Sequence, residues 1–595
     1  MNNAFQVLAR QRQDFIILGL TGRTGSGCTT SAKIMGNGPS IVYPEPSDLP
    51  KESGYELSEV SKKRYTVAKK YAESYFPKFL NIKVSDLITA ILLQESKKSL
   101  ANHIKTIEGS LPVAQSVLDE SKFALTQRKL NTNKKVIEFW LFGKGEVPKL
   151  TSKRITSVLE RCSIFSQNFK KELDNKINDG VYTKLYQEAG NSIRRYKKPI
   201  HNPDDIIDVA NLLYIPEVID RIIQTLRKAN KLERKPTYIS IDAFRNPYEI
   251  RYFKDRYSAF YLVSVNANNS DRKKYLAKVA KLSSTSISEL DRRESGKVPT
   301  DSEGDKCEGC GHKRVSSGDK LEKLFLQNVP ACLELSDIHL YNPKKEPENH
   351  NALKAQLAWY VSLMLHPGLI TPTSIERVMQ LAYSAKVNSG CISRQVGAAI
   401  TDVNYSIKGI GWNDVPTGQV PCNLRSLPEL KDSFNAKVYS EYERNDDDFR
   451  NKADEHLQSF QSSNQDNLIG MNLSYCFKTI QNQVEGEKNQ VHTRSLHAEE
   501  NAFLQLSKTG GTGIEGGKLF TTASPCELCA KKAYQLGIKE IIYIDPYPGI
   551  AKDHIIANGT NPPRIIQFIG AVGDAYHKLY TPLMPMKDEL ELLKG

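Results

Sequence analysis

The sequence predicts an α/β protein of two domains, and three observations support this. An apolar run at residues 15–20 leads into a glycine-rich turn, as in a strand followed by a loop and a helix. After about residue 374, β-type runs alternate with segments of helical periodicity. At 595 residues the chain is also too long for one ordinary hydrophobic core. We therefore predict domains of residues 1–370 and 371–595, divided where Pro367-Gly368 and Pro372 interrupt the pattern.

The glycine-rich turn contains most of a P-loop. Against the pattern G-x-x-x-x-G-K-[ST], the chain has glycine at both glycine positions and Thr29 at the last, but Cys28 where lysine belongs. Glycines in such a loop let backbone N–H groups surround phosphate oxygens at a helix N-terminus. Because the lysine normally reaches the β- and γ-phosphates, its absence disfavours kinase activity. We predict a nucleotide, with Mg²⁺, bound by Gly22, Gly25, Ser26, Gly27, Thr29 and Thr30.

Further strand patterns favour a P-loop NTPase-like fold for the first domain. The run at residues 236–242 ends in Asp242, residues 260–265 form another apolar run, and a basic stretch containing residues 291–294 follows in the place of a lid. This arrangement resembles small-nucleotide kinases of the P-loop class, where an Asp at a strand end helps hold Mg²⁺ and lid arginines cover phosphates. The alternative for Asp242 is a turn residue.

Residues 55–235, approximately, have helical periodicity, with amphipathic examples at 84–93 and 206–226. We interpret this region as a helical insertion that serves in oligomerisation or sensing. The polar loop at 301–320 contains Cys307, Cys310 and His312, which are candidate ligands of a structural zinc, with exposed loop thiols as the alternative.

The second domain is predicted to be a layered α/β/α structure. We predict helices at residues 375–386 and 497–506, and a third that begins at Ser524-Pro525 because proline is favoured in a first helical turn. We predict strands at residues 396–400, 406–410, 518–523, 541–544 and 565–569.

Two motifs in this domain contain metal-ligand residues. His497-Ala-Glu499 is followed by Pro525-Cys-Glu-Leu-Cys529, which matches the zinc-deaminase pattern H-x-E and P-C-x-x-C. One imidazole and two thiolates, from His497, Cys526 and Cys529, leave a tetrahedral Zn²⁺ with one open position, as in a catalytic site. Such a zinc brings the pKa of bound water toward about 7, and Glu499 is then available to move protons. The alternative is a buried structural zinc with a non-catalytic glutamate, which would require a fourth protein ligand.

Residues 374–595 resemble the cytidine deaminases of the dCMP type, through residues 391–397, 411–413 and 543–548 as well as the two zinc motifs. The second domain is thus expected to be cytidine-deaminase-like. The whole arrangement, a P-loop domain without its lysine fused to a deaminase, resembles the bacterial anti-phage deoxycytidylate (dCTP/dCMP) deaminases. The resemblance implies zinc-dependent deamination of free deoxycytidine nucleotides, their depletion during infection, and an inhibitory small RNA or small protein as partner.

The resemblance also implies contacts with the substrate. Asn413 would contact the sugar, Arg394 the phosphate, and Tyr547 would pack near the base or sugar. The alternatives are a turn residue, a surface charge and the edge of the core, respectively. Some phage-type relatives have a further structural zinc, whose candidate ligands here are Cys391, Cys422, Cys476 and His492.

Composition narrows the remaining possibilities. The net charge is +14, but no dense run of Arg and Lys with interleaved aromatic residues is present, so an RNA-binding role is open without being favoured. The longest apolar runs are shorter than the roughly 18 residues that a membrane span needs, and the N-terminal residues lack the features of a secretory signal. We therefore expect a cytoplasmic protein that forms a homo-oligomer, with its ten cysteines serving as ligands or buried thiols.

Three rival hypotheses follow from the same sequence. The deaminase domain could act on a flipped or single-stranded base of a polynucleotide, although the nucleotide-type P-loop favours free nucleotides. The first domain could be a kinase with the deaminase as an accessory, which Cys28 disfavours. We prefer the third, in which the P-loop domain senses nucleotides and regulates the deaminase. The sequence does not distinguish dCMP from dCTP as substrate.

Overall fold

The structure is a computed structural model of the chain. It describes residues 13–50, 57–178, 180–279, 282–296, 317–343, 349–432, 435–461, 465–487, 489, 491–508, 510, 513–545 and 551–594. These residues divide into two compact units. The first unit comprises the described residues up to Thr371 together with those from Asp574 onward, and the second comprises those of Pro372–Gly573.

Five parallel strands lie side by side in the first unit. They are β1 (Phe15–Thr21), β2 (Leu80–Lys83), β3 (Thr237–Phe244), β4 (Phe260–Asn266) and β5 (Ile338–Tyr341). Their order is β5-β4-β1-β3-β2. Every residue of β1 and β4 is buried, as expected for central strands of a parallel sheet with both faces covered. Because parallel strands end at the same edge, the loop after β1 and the residues that end β3 lie together there.

Helices account for most of the rest of the first unit. They are α1 (Cys28–Asn37), α2 (Glu59–Tyr75), α3 (Val84–Leu92), α4 (Lys97–Ile107), α5 (Leu111–Glu120), α6 (Phe123–Asn131), α7 (Lys134–Phe142), α8 (Ser152–Lys176), α9 (Val181–Tyr196), α10 (Tyr214–Leu232), α11 (Pro247–Arg256), α12 (Asn269–Lys278), α13 (Ser284–Glu294), α14 (Ser317–Phe325), α15 (Val329–Glu334) and α16 (Asn351–Leu365). Short 3₁₀ turns lie at Gly38–Ser40, Pro46–Asp48 and Val209–Leu213.

The region predicted as a helical insertion is mostly helical, but it also contains β2, which pairs with β3. The four-residue strand was missed because its sequence, Leu-Asn-Ile-Lys, has only one fully buried side chain. The apolar faces of α3 to α10 join those of β1 and β3 in one continuous core. Pro216 does not break the amphipathic segment around it, because it lies in the first turn of α10, where a missing N–H is tolerated.

The second unit is built on a mixed sheet in the order β10-β9-β8-β6-β7. Its strands are β6 (Gly397–Thr401), β7 (Ile407–Trp412), β8 (Lys518–Ala523), β9 (Glu540–Asp545) and β10 (Arg564–Gln567). The two-residue strand β11 (Gly570–Ala571) follows β10 in the chain and is not part of this five-stranded sheet. Strands β8, β9 and β10 are parallel, whereas β6 is antiparallel to both β7 and β8. The five predicted strands are thus present: β8 has the predicted bounds, and the ends of the other four are displaced by one or two residues.

Helices cover both faces of this sheet. One face packs against α17 (Ser374–Ala385) through Val378, Met379 and Ala382. The other packs against α22 (Ala498–Lys508) and α23 (Glu527–Gln535). The unit is therefore the α/β/α layered structure that the sequence predicted.

The chain between β7 and α22 forms a small helical subdomain with its own apolar cluster. Its helices are α18 (Leu427–Asp432), α19 (Glu441–Asn445), α20 (Asp447–Gln461) and α21 (Phe477–Val484), with 3₁₀ turns at Cys422–Leu424 and Gln465–Leu468.

Short turns and two helices complete the chain. A 3₁₀ turn, Lys386–Asn388, follows α17, and a π-helical turn, Lys552–Ile556, precedes β10. The chain ends with α24 (Gly573–Tyr580) and α25 (Met586–Leu593). Among the described residues, no helix is long and apolar enough to cross a membrane.

Candidate active site

Three predicted metal ligands converge in the second unit. Nδ1 of His497 lies 3.3 Å from Sγ of Cys526 and 3.5 Å from Sγ of Cys529. All three ligand atoms lie within 4.8 Å of one another. In the part of the chain that the structure describes, this is the one group of three or more His, Cys, Asp or Glu residues so arranged.

The spacing of these atoms fits a zinc ion. Zn–S bonds of about 2.3 Å and Zn–N bonds of about 2.0–2.1 Å at a tetrahedral angle place nitrogen and sulfur roughly 3.5 Å apart. The observed nitrogen–sulfur distances of 3.3 and 3.5 Å agree with this value. The set has three protein donors, the number that a catalytic zinc site uses while keeping its fourth position open. The structure thus brings the three predicted ligands to distances that suit one zinc ion.

The protonation of the two thiols also favours a cation at this point. Hydrogen bonds from Cys529 and His497 lower the pKa of the Cys526 thiol to about 3. Hydrogen bonding to Cys526, together with burial, raises the pKa of Cys529. Because thiols bind metal as thiolates, a divalent cation held here would displace the protons that these two thiols carry.

The main chain brings these ligands together at the ends of two helices. Cys526 is the N-cap of α23, with extended backbone angles, and Cys529 lies in the first turn. The helix therefore begins after Cys526, later than the predicted start at Ser524-Pro525. The reason is that Cys526 itself has extended backbone angles, so the first helical residue is Glu527. His497 immediately precedes α22, and its carbonyl accepts a hydrogen bond from the N–H of Asn501.

A close packing contact fixes α22 on the sheet. A Cβ atom at Gly411, in β7, would lie 2.3 Å from the carbonyl oxygen of Ala498 and 2.4 Å from the N–H nitrogen of Ala502. Only glycine lets the strand and the helix backbone approach this closely. The Asn501 side chain also donates to the carbonyl of Trp412 at 2.9 Å. These contacts hold the turn of α22 that carries Glu499.

Glu499 lies in the first turn of α22 and is almost fully buried. Burial raises the pKa of its carboxyl group. Its Oε1 lies 3.2 Å from Oγ1 of Thr521, which also lies 2.7 Å from the carbonyl of Ala523. The Thr521 hydroxyl donates to Glu499, and this hydrogen bond lowers the pKa of the carboxyl group, opposing the effect of burial. Burial therefore favours the protonated form of Glu499, and the contact with Thr521 favours the ionised form.

A pocket opens beside the metal ligands. His497, Glu499 and Cys526 form one side of it, and the lining also includes Arg394, Asn413 and Lys478. Sequence reasoning identified Arg394 and Asn413 but missed Lys478 in α21, because α21 comes to the pocket only through the fold of the small helical subdomain.

The two predicted substrate residues make definite contacts within the protein. Asn413 accepts a hydrogen bond from the N–H of Val396 at 2.7 Å and donates to the carbonyl of Arg394 at 2.8 Å. Asn413 therefore shapes the pocket wall as well as lining it. The Arg394 guanidinium forms an ion pair with Asp545, at the end of β9. Tyr547 lies outside the described residues.

The other predicted zinc ligands have different surroundings or are not described. His492 pairs with Glu485 at 2.6 Å. The Cys422 thiol accepts a hydrogen bond from Arg425 at 3.3 Å. Cys391 lines the active-site pocket, and Cys476 Sγ lies 4.0 Å from the Ser393 hydroxyl. Cys307, Cys310 and His312 lie outside the described residues.

The predicted P-loop residues lie at the carboxyl edge of the parallel sheet, with Gly22 to Gly27 between β1 and α1 and with Thr29 and Thr30 in the first turn of α1. The three glycines have positive φ angles of +152°, +83° and +127° at Gly22, Gly25 and Gly27. A side chain at Gly27 would also meet Asn342 at 2.3 Å. Glycine is therefore required by the backbone of this loop.

Asp242 and Thr29 are neighbours at this edge. Burial raises the pKa of Asp242, while an interaction with the Thr29 hydroxyl acts in the opposite direction. Cys28, in the lysine position, is buried, and burial raises the pKa of its thiol to about 12. Cys28 is thus neutral and supplies no charge to a phosphate.

Comparison with known proteins defines the class of the second unit. Residues 372–545 match the family described as the cytidine and deoxycytidylate deaminase zinc-binding region. This match and the donor geometry identify the C-terminal part of the chain as a zinc-binding deaminase domain of the cytidine and deoxycytidylate type. The chain is accordingly an enzyme, a hydrolase that acts on cytosine nucleotides.

Particular relatives are deoxycytidylate deaminases. That of Enterobacteria phage T2 is 28% identical over 170 residues, which are 29% of this chain and 79% of the relative. That of Schizosaccharomyces pombe is 25% identical over 186 residues, which are 31% of this chain and 41% of the relative. Among solved structures, the dCMP deaminase from the cyanophage S-TIM5 in complex with dCMP and dUMP has 22% identity and a TM-score of 0.20, covering 33% of this chain and 99% of that chain.

Proposed function

We propose that the chain deaminates free deoxycytidine nucleotides, converting dCMP or dCTP to dUMP or dUTP with release of ammonia. The observation that supports this most directly is the buried Glu499 carboxyl group in one pocket with His497 and Cys526, whose donor atoms lie within 4.8 Å of that of Cys529. The deoxycytidylate deaminases among the relatives support the deoxycytidine nucleotide as substrate.

The metal ligands and Glu499 have different roles in hydrolysis. A zinc ion held by His497, Cys526 and Cys529 would supply an activated water at neutral pH. Glu499 receives a proton from that water and delivers it to N3 of the cytosine ring. It then takes the proton of the hydroxyl group newly bonded to C4 and transfers it to the amino group, so that the C4–N bond breaks, ammonia leaves and the carbonyl of uracil remains. The burial of Glu499 suits this role, since it raises the pKa of the carboxyl group and so makes one group better able both to accept and to donate a proton.

The polar lining of the pocket supports recognition of a nucleotide. Arg394 and Lys478 supply positive charge for a phosphate, and Asn413 supplies an amide near the sugar. The pairing of Arg394 with Asp545 holds the guanidinium in one orientation before substrate enters. Whether one phosphate or three is preferred depends on these cations.

We assign the glycine-rich loop of the first unit to nucleotide binding in a regulatory role. The required glycines and the neighbouring Thr29 and Asp242 support a nucleotide with Mg²⁺, and the neutral Cys28 argues against rapid phosphoryl transfer. The resemblance to anti-phage deaminases supports depletion of deoxycytidine nucleotides during infection. A cytoplasmic homo-oligomer restrained by a small RNA or small protein belongs to the same proposal.

The test is product analysis with the purified full-length protein. Deoxycytidine, dCMP, dCTP, CMP and single-stranded DNA are each incubated with zinc-loaded and chelator-treated enzyme, and uracil products are quantified. We expect uracil from dCMP or dCTP, its loss on chelation and its return when zinc is added. Uracil formed only in single-stranded DNA would replace this proposal with a polynucleotide deaminase. Repeating the assay with added purine or thymidine nucleotides tests regulation through the loop.

A further inference from the structure

The glycine-rich loop of the first unit already holds an anion from the protein itself. The carboxylate of Glu294, the last residue of α13, accepts hydrogen bonds from the backbone N–H of Thr24 at 3.2 and 3.1 Å to its two oxygens. The Thr24 hydroxyl donates to the same carboxylate. Glu294 is 3% exposed, so this carboxylate is seated in the loop and not merely near it.

A guanidinium group completes the surroundings of this carboxylate. Nη1 of Arg245, just after β3, donates to Oε1 of Glu294 at 2.6 Å and to the carbonyl of Gly22 at 2.7 Å. The positive charge of Arg245 also acts on the Cys28 thiol, which occupies the position of the missing lysine. Arg245 therefore supplies a positive charge beside Cys28, where the loop sequence lacks its lysine, and it does so from another part of the chain.

A second arginine on the loop has a different role. Arg272 donates to the Thr24 carbonyl at 3.0 Å and to both oxygens of Asp291 at 2.7 Å. Its side chain is 1% exposed, so this ion pair ties α13 to the loop and faces no open space. The Arg245 side chain is 22% exposed. Of Arg245 and Arg272, it is therefore Arg245 that a ligand can reach.

We propose that Arg245 replaces the missing lysine of the P-loop and that Glu294 occupies the phosphate position, so that a nucleotide polyphosphate binds by displacing the Glu294 carboxylate. A phosphate offers the same acceptor oxygens and more negative charge to the Thr24 N–H and to Arg245. Displacement frees Glu294, at the end of α13, to move away from the loop. This inference rests on the proposed nucleotide binding by the loop and names the residues that control it.

Binding of magnesium tripolyphosphate to the zinc-loaded full-length protein, measured by isothermal titration calorimetry, tests this proposal. Glu294→Gln keeps the shape and removes the charge, so we expect affinity to rise about tenfold or more. Arg245→Gln should weaken binding by a similar factor, and Arg245→Lys should retain most of it. Glu289→Gln is the matched control, because Glu289 lies on α13 but pairs with Arg293, and its affinity should match that of the wild type.

Unchanged or weaker binding by Glu294→Gln, or wild-type binding by Arg245→Gln, would overturn the proposal. Should Glu294→Gln prove unstable because Arg245 loses its partner, Thr24→Val is the second variant. It removes only the hydroxyl contact with Glu294 and should tighten binding by a smaller factor. Deamination of dCMP is measured on the same preparations. If the protein deaminates dCMP but neither the wild type nor any variant binds tripolyphosphate, this inference and the nucleotide-binding role of the loop are both wrong. The proposed deaminase activity would then still stand.

Discussion

The Arg394 guanidinium is paired with the Asp545 carboxylate beside the active-site pocket. This pair allows two roles for Arg394, since it can bind the substrate phosphate or only hold the end of β9. We predict that Arg394→Gln raises KM for dCMP about tenfold or more and changes KM for deoxycytidine less than about threefold. The reason is that the phosphate of dCMP would lose its contact with the guanidinium, whereas deoxycytidine has no phosphate. Steady-state kinetics on both substrates distinguishes the roles, and equal losses would indicate a structural role alone.

Glu499 is predicted to be essential for catalysis and unnecessary for metal binding. Glu499→Gln should reduce kcat for dCMP by about 10²–10⁴-fold, because the amide cannot transfer protons. Zinc content, measured by elemental analysis, should stay equal to that of the wild type. Glu500→Gln is a matched control on the same helical turn, because Glu500 makes a surface ion pair with Lys532. Near-normal turnover by Glu499→Gln would exclude the proposed mechanism.

Gly411 is predicted to be required for the position of α22. Gly411→Ala places a Cβ atom within 2.4 Å of two backbone atoms of that helix, so the helix must shift away from the sheet. We expect a loss of about 1–3 kcal/mol in stability and a large loss of activity, since Glu499 moves with the helix. Thermal melting and kcat/KM are the measurements. Gly513→Ala is the control, because nothing lies within 4 Å of its Cβ position, and it should behave like the wild type.

Asp86, in the first turn of α3, should make the stability of the first unit depend on pH. Burial raises the pKa of its carboxyl group to about 6 from an ordinary 3.8. Between these values the unfolded chain is ionised while the folded chain keeps its proton, so stability falls as pH rises through this window. The full effect above pH 6 is about 3 kcal/mol, at about 1.4 kcal/mol per pKa unit.

Asp86→Asn should therefore melt at the same temperature as the wild type near pH 4 and at a higher temperature at pH 7. Melting curves at several pH values check this. Asp119→Asn, at an exposed position paired with Lys97, should show no such pH-dependent difference. A melting temperature for Asp86→Asn below that of the wild type at pH 7 would show that the negative charge of Asp86 stabilises the fold instead, through Lys83.

The metal ligands could be predicted from sequence because their chemistry depends on short local spacings. His497 and Glu499 lie two residues apart at the start of α22, and two cysteines three residues apart meet one ion whether the helix begins at Ser524 or after Cys526. The layered fold followed from alternating apolar periodicities. Thr521 and Lys478 could not be predicted, because their proximity to Glu499 and the pocket depends on strand and subdomain packing between distant segments.

In the glycine-rich loop, too, some features could be predicted from the sequence and others could not. Its glycines were predictable from the backbone that they permit, and their positive φ angles agree with that reasoning. The cation beside the loop could not be predicted, because Arg245 follows a strand more than 200 residues later in the chain. Sequence position alone could identify the missing lysine but not its replacement.

The last residues of the chain return to the first unit, where the Gly368 N–H donates to the Leu579 carbonyl at 2.8 Å and His366 Nε2 lies 2.7 Å from Glu589 Oε1. One proteolytic cut near residue 371 would therefore not release two intact halves. An expression clone that stops at Thr371 would leave the end of α16 without the segment that covers it. Isolating the deaminase requires both boundaries, near residues 372 and 573, and isolating the first unit requires joining its two segments by a linker.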